Sequence, residues 1–236
     1  MKQPRNLAEG YLNTDSENLI QLVVFDWDGT LMDSTGAISE SIRLAAADMG
    51  LPVPTVAAAN HVIGLGLADA LAHAVPSLKK QDMPAFSARY RHHYMVRDQQ
   101  LRAFDGAAQL LTELNRAGVP VAIATGKSRL GLNRALATAE WNHHFVTSRC
   151  ADEGNPKPHP WMLLDICAEL TVAPASTVMI GDTTHDLTMA RSAGARSVAV
   201  SYGAHPLDQL HQCQPETVCG SIDQVRHWLL PRLASA

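Results

Sequence analysis

A small set of residues in this chain has the types and the placement to do chemistry together: Asp26, Asp28, Thr125, Lys157, Asp182 and Asp186. Asp26 ends the apolar run Leu22-Val23-Val24-Phe25. Thr125 ends the run from Val119 to Ala124, and Asp182 follows Val178-Met179-Ile180-Gly181. Asp28 comes two positions after Asp26, so its side chain can return to the same side. Gly29 then permits a tight turn that a Cβ would resist. Like-charged carboxylates repel, so they are normally gathered only around a cation. Oxygen ligands of this kind suit Mg²⁺, which favours sites shared with phosphate. A carboxylate such as Asp26 is a competent nucleophile toward phosphorus once the phosphoryl charge is neutralised. A second carboxyl group, Asp28, can protonate a leaving alkoxide and later deprotonate water.

The elements that must position these groups are legible from the same runs. Continuous apolar stretches of this length read as strands buried on both faces, as in parallel sheets. Ser197 to Val200 reads as one more. Helical patterns lie between them: Asp105 to Ala117 ahead of Gly118, Ser128 to about Ala139, Pro160 to Leu170, and Thr184 to Ala193 ahead of Gly194. Alternation of strand and helix predicts an α/β fold, a Rossmann-like parallel sheet with helices on both faces. Ligands in such sheets bind beyond the carboxyl ends of the strands, where the acids stand.

The stretch from Ser34 to Ala103 breaks this rhythm. It reads as helices only: Thr35 to Met49, a short one after Pro54, Leu67 to Ala74, and a long one from about Gln81 to Arg102. The expected organisation is therefore a tail over residues 1–19, a core over 20–33 and 104–236, and an inserted all-helical cap over 34–103. Hinges are expected near Asp33-Ser34 and Phe104-Asp105-Gly106, where the chain crosses between cap and core.

Asp26-Trp27-Asp28-Gly29-Thr30 through Ser34 resembles the first motif of the haloacid dehalogenase-like hydrolase superfamily. Thr125-Gly126-Lys127 resembles its second motif, Lys157-Pro158 its third, and Gly181-Asp182-Thr183-Thr184-His185-Asp186 its fourth. All four stand in the family's order over roughly Gln21 to Val200. The helical insertion resembles the cap of phosphoglycolate phosphatases and β-phosphoglucomutases. The resemblance implies that Asp26 attacks phosphorus to form an aspartyl-phosphate. It implies that Asp28 serves as general acid and base and also ligates Mg²⁺ through its backbone carbonyl. Thr125 and the Gly126 amide would hold phosphoryl oxygens. Lys157 would offset the charge of nucleophile and phosphate. Asp182 would ligate Mg²⁺ directly, together with Asp26, and Asp186 would support the ion from behind or through the lysine.

Other residues have plainer expectations. Asp33 and Ser34 read as caps of the first cap helix, and Lys127 as either a solvated lysine or a site group. His185 should face solvent or substrate rather than a hard cation. Trp27 should pack behind its loop, with Trp141 and Trp161 in the core or at its edge.

Asp28 also sorts the reaction. The family's dehalogenases lack a carboxylate at that place, because carbon–halogen cleavage needs no proton for its leaving group. A phosphate ester does. The cap loop Ile63-Gly64-Leu65-Gly66-Leu67 carries no charge, which favours a phosphatase over a phosphomutase that must hold a second phosphate. Gly64 is expected to approach substrate, with His61 and Arg91 helping to set specificity. The expected substrate is a small phosphorylated metabolite, phosphoglycolate-like or a sugar phosphate. A non-catalytic binding or regulatory protein of the same fold is the reading from another class.

Composition narrows the rest. Across 236 residues, 46% are hydrophobic and 18% charged, enough for a sizeable core. A formal net charge of -4 argues against nucleic acid as a partner. No apolar run approaches the ~20 residues that span a bilayer, and the polar start of the chain does not read as a secretory signal. The four cysteines form no C-x-x-C pair, as expected for reduced thiols in a cytoplasmic monomer or homodimer.

Overall fold

The computed structural model describes residues 19–98 and 100–234. The chain runs β1 (Leu22–Phe25), β2 (Met32–Asp33), α1 (Thr35–Asp48), α2 (Val56–His61), α3 (Leu67–Ala74), α4 (Met83–Asp98) and β3 (Arg102–Ala103). It continues with α5 (Ala107–Arg116), β4 (Val121–Thr125), α6 (Arg129–Ala139), β5 (Thr147–Cys150), α7 (Trp161–Leu170) and β6 (Thr177–Gly181). The last elements are α8 (Thr184–Ala193), β7 (Arg196–Val200), α9 (Leu207–Gln212), β8 (Thr217–Cys219) and α10 (Ile222–Leu229). The tail expected over 1–19 lies outside the described residues apart from Leu19.

Six strands form one parallel sheet in the order β5-β4-β1-β6-β7-β8. Both faces of the central strands are buried, which is why their sequences are apolar without alternation. Val23, Phe25, Ile123 and Ile180 face α5 and α10, packing with Leu110, Leu114 and Val225. Leu22, Val24, Ala124 and Met179 face the other way, onto Met162, Ile166 and Met189 of α7 and α8. The predicted α/β sheet with helices on both faces is the observed one.

Helices α1 to α4 have an apolar centre of their own, built on Ile42, Leu71 and Phe86. The helix expected over 81–102 is shorter than that. It stops at Asp98 because Arg102–Ala103 must pair antiparallel with Met32–Asp33. This short two-stranded strap ties together the two chain crossings between helices and sheet. Trp27 packs behind its loop as expected, edge-on to Trp141 at 5.8 Å. Cys150, Cys167 and Cys219 are buried free thiols, and Cys213 is half-buried. Among the described residues, no helix is long and apolar enough to cross a membrane.

Candidate active site

β1 lies between β4 and β6, where the strand order reverses and a crevice opens at the carboxyl ends. Asp26 leaves β1 there, its N–H donating to the Ile180 carbonyl at 2.9 Å. Its Oδ1 accepts from Lys157 Nζ at 2.7 Å. Its Oδ2 is buried and has no hydrogen-bond partner. Lys157 also pairs with Asp186 Oδ1 at 2.6 Å, and its side chain is wholly enclosed. Burial works against the lysine's charge, but Asp186 and Asp26 outweigh it and hold the ammonium protonated above its ordinary range.

Asp186 is fixed in the first turn of α8, whose N-cap is Thr183. Its Oδ2 accepts from the Thr183 backbone N–H at 3.1 Å and from Thr183 Oγ1 at 2.6 Å, and its own N–H donates to Thr183 Oγ1 at 3.3 Å, which completes a capping box at the start of α8. Asp182 follows β6. Its Oδ1 accepts from Thr30 Oγ1 at 2.9 Å and its Oδ2 from the Ala204 N–H at 2.7 Å. Carboxylate oxygens of Asp26, Asp182 and Asp186 lie within 4.8 Å of one another, all buried. Burial pushes Asp182 up to about 7, with Asp186 adding to it. Asp26 is raised well above the usual carboxylate range, chiefly by burial, with Lys157 opposing and Asp186 and Asp182 reinforcing. An all-oxygen cluster with an orphaned buried oxygen and raised carboxyls fits a hard cation such as Mg²⁺.

The backbone around Asp182 is shaped to leave it room. A Cβ on Gly29, whose φ is +81°, would fall 2.1 Å from Asp182 Oδ2. One on Gly203 would fall 2.2 Å from the same atom. The turn at Gly29 is legible in the sequence. The part played by Gly203 and Ala204 is not, and the only signal for it there is a glycine shortly after the end of β7.

Asp28 stands apart from the three clustered acids. Ser34 Oγ donates to its Oδ1 at 2.6 Å, and Lys127 Nζ lies 3.0 Å from the same oxygen. One expectation changes here and one open reading closes. Ser34 occupies the N-cap position of α1 without capping it, because its hydroxyl is committed to Asp28, and Asp33 is an exposed residue of β2. Lys127 is a site residue: its side chain is only 10% exposed and also donates to Tyr94 Oη at 3.0 Å. Burial pushes the Tyr94 hydroxyl up to about 12, with Lys127 pulling the other way. Tyr94 gives no signal in the sequence, where it reads as one aromatic in a polar helix.

Thr125 is buried at the end of β4, its Oγ1 accepting from the Lys127 N–H at 3.2 Å. Gly126 meets the loop between α2 and α3, where a Cβ on it would lie 2.6 Å from the carbonyl oxygens of Gly64 and Leu65. Gly64 itself, at φ +93°, sits over Thr183. Gly126→Ala is expected to hold that loop away from the crevice and lower kcat about 100-fold, with the fold intact by circular dichroism. An unchanged kcat would mean that the loop does not have to approach Gly126 during turnover.

His185 is half-buried and turned to the cap rather than joined to the acid cluster. Its Nε2 lies 3.0 Å from the His61 carbonyl, and His205 Nε2 lies 3.1 Å from the same oxygen. The His61 ring stacks on that of His205 at 5.0 Å. Burial lowers both His185 and His205, the latter to about 4, so both are neutral near pH 7. Arg91 lies on α4 at the wall of the crevice.

Residues 23–200 match the family model described as haloacid dehalogenase-like hydrolase. The chain belongs to the haloacid dehalogenase-like hydrolase family. Among relatives in this family, the probable phosphatase IndB of Dickeya dadantii is 32% identical over 210 residues, covering 86% of this chain and 91% of that one. The phosphoglycolate phosphatase of Aliivibrio fischeri is 30% identical, covering 84% and 92%. The tyrosine-protein kinase PtkA of Mycobacterium tuberculosis H37Rv is 33% identical, covering 89% of this chain and 72% of that protein. The chain is thus a haloacid dehalogenase-like hydrolase of phosphatase type, similar to phosphoglycolate phosphatase.

Proposed function

We propose that this hydrolase is a Mg²⁺-dependent phosphatase that cleaves a metabolite phosphate monoester through an aspartyl-phosphate on Asp26. The observation that carries the reading is the division of labour between two carboxylates on one turn. Asp26 is tied to Lys157 and the acid cluster, while Asp28 is held away from it by Ser34 and Lys127. Groups so separated suit a nucleophile and a proton carrier.

In the first half of the reaction the Asp26 carboxylate attacks phosphorus and the bond to the ester oxygen breaks. Asp28 gives its proton to that leaving oxygen. Water then attacks the aspartyl-phosphate, Asp28 takes its proton, and Asp26 is released with inorganic phosphate. Thr125 and the Gly126 amide orient the phosphoryl oxygens, and Lys157 balances charge on Asp26. Asp26, Asp182 and the Asp28 carbonyl would hold Mg²⁺, with Asp186 behind them. When bound, the ion neutralises the phosphoryl oxygens and the clustered carboxylates. A kinase or mutase would need a second acceptor to displace water, and the uncharged loop from Ile63 to Leu67 offers no cation for a second phosphate. A first screen takes phosphoglycolate from the phosphoglycolate phosphatases among the relatives, and sugar phosphates from the sequence expectation.

Phosphate release from p-nitrophenyl phosphate tests the reading. Activity with Mg²⁺ that vanishes with EDTA supports it, and activity indifferent to EDTA would refute the metal requirement. Mg²⁺ affinity should also fall as pH drops below about 7, because Asp182, pushed up to about 7, must lose its proton to bind the ion. The stability sign is opposite without metal. A carboxyl raised above its unfolded value stabilises fully below about pH 4 and loses that contribution as pH rises through about 7. Calorimetry in buffers of different ionisation heat should register proton release near neutrality, and its absence would contradict the assignment of Asp182.

A further inference from the structure

Resting on the phosphatase reading, we propose that the natural substrate carries an apolar, ring-bearing alcohol, larger than glycolate and less hydroxylated than a sugar. A cavity of about 610 Å³ opens between the helical cap and the sheet, with Asp28, Gly126 and Lys127 at its floor. The leaving group of an ester attacked by Asp26 has to lie there. Glycolate is no larger than a few water molecules, each taking about 30 Å³ of the liquid. It would leave most of this volume filled with water.

The lining explains why that water would be poorly held. Ile38, Ile63, Leu65 and Leu67 line the cavity from the cap and Leu130 from the core. The polar side chains at its edge are largely committed. Lys127 is bound to Asp28 and Tyr94, Arg134 to Asp98, and Asp152 to the Arg129 N–H. What remains is Asp69 on α3 and one stripe of α4, Ser87, Tyr90 and Arg91, at helical spacing with Tyr94. Arg91 makes no hydrogen bond or ion pair among the described residues. A sugar would bring several hydroxyls against the mostly aliphatic walls, away from these few polar groups, and each one left unpaired costs affinity. A flat apolar body with one or two polar substituents can fill the volume, exclude water and turn its polar edge to α4. The Tyr90 and Tyr94 rings, 5.9 Å apart and nearly parallel, give that stripe an aromatic surface.

The test compares kcat/KM for naphthylethyl phosphate, phenylethyl phosphate, phosphoglycolate and glucose 6-phosphate with the wild-type chain and Mg²⁺. All four release an alkoxide, so differences report recognition rather than leaving-group reactivity. Naphthylethyl phosphate is expected to exceed phosphoglycolate and glucose 6-phosphate by about 100-fold. Leu67→Trp, which narrows the cavity, should lower the naphthylethyl-to-phenylethyl ratio about tenfold. That ratio is read within one preparation, so partial misfolding does not disturb it. Equal or better turnover of phosphoglycolate or glucose 6-phosphate would overturn the proposal. If no ester is hydrolysed, the phosphatase reading fails, and calorimetric binding of the same esters to Asp26→Asn still decides the preference. Tighter binding of naphthylethyl phosphate upholds it, and tighter or equal binding of phosphoglycolate rejects it.

Discussion

Asp26→Asn is expected to abolish turnover, lowering kcat by about 10⁴-fold or more, while leaving the chain folded. The amide has nearly the shape of the carboxylate but cannot form an acyl phosphate. Folding should survive because the change removes a buried acid whose charged form is opposed first by burial and then by Asp186 and Asp182. Lys157 keeps its pair with Asp186 at 2.6 Å. Without metal, the melting temperature should therefore hold or rise. Circular dichroism melts and phosphate release on the same preparation check both halves. Residual turnover within about tenfold of wild type would place the nucleophile elsewhere, since a lost nucleophile costs far more than a lost orienting contact.

Lys157→Met should be the most damaging single change to stability, costing about 3–5 kcal/mol at pH 7.5 in the absence of metal. The ammonium lies between Asp26 and Asp186, and all three side chains are almost wholly enclosed. Removing it leaves the clustered carboxylates buried with no cation. Their response gives the loss a pH signature. Asp26 and Asp182 already lie above their ordinary values, and without the lysine they rise further. The folded form then binds protons that the unfolded form has released, so stability is retained at low pH and lost as pH rises. Mg²⁺ should restore part of it by supplying charge to the same oxygens. Thermal melts from pH 5 to pH 8, with and without Mg²⁺, measure this. A loss independent of pH and metal would show that Lys157 matters for packing and not for charge.

The site was legible where chemistry left a local pattern. Asp26, Thr125 and Asp182 could be placed because each ends an apolar run, and a strand buried on both faces must be apolar throughout. Asp186 could be placed because it lies one turn into the helix that follows Asp182, at the end of the fourth motif. The strand Thr147–Cys150 escaped this logic. It is a sheet edge, half-exposed, and its polar residues Thr147 and Arg149 pair with Asp165 and Glu169 on α7. The strand Thr217–Cys219 at the other edge is too short to show a period.

What the sequence hid within the site are contacts between residues far apart in the chain. Ser34 reads as a helix cap until its hydroxyl is found on Asp28, and Lys127 stays open between a solvated lysine and a site group until the cap closes over it with Tyr94. The Ala204 amide reaches Asp182 only because β6 and β7 are neighbours in the sheet. The same holds for the meeting of His185 and His205 at the His61 carbonyl. Neither the order of the strands nor the closure of the cap is written in any local spacing, so the partners they create could not be read there.

The covalent step offers the most direct test of an aspartyl-phosphate mechanism. Wild-type chain turning over an ester with Mg²⁺ can be quenched in acid, reduced with borohydride and digested. An acyl phosphate at Asp26 would leave homoserine at position 26, detected by mass spectrometry, and the Asp26→Asn chain would show none. Turnover without any modified peptide, or modification at another carboxylate, would contradict covalent catalysis by Asp26.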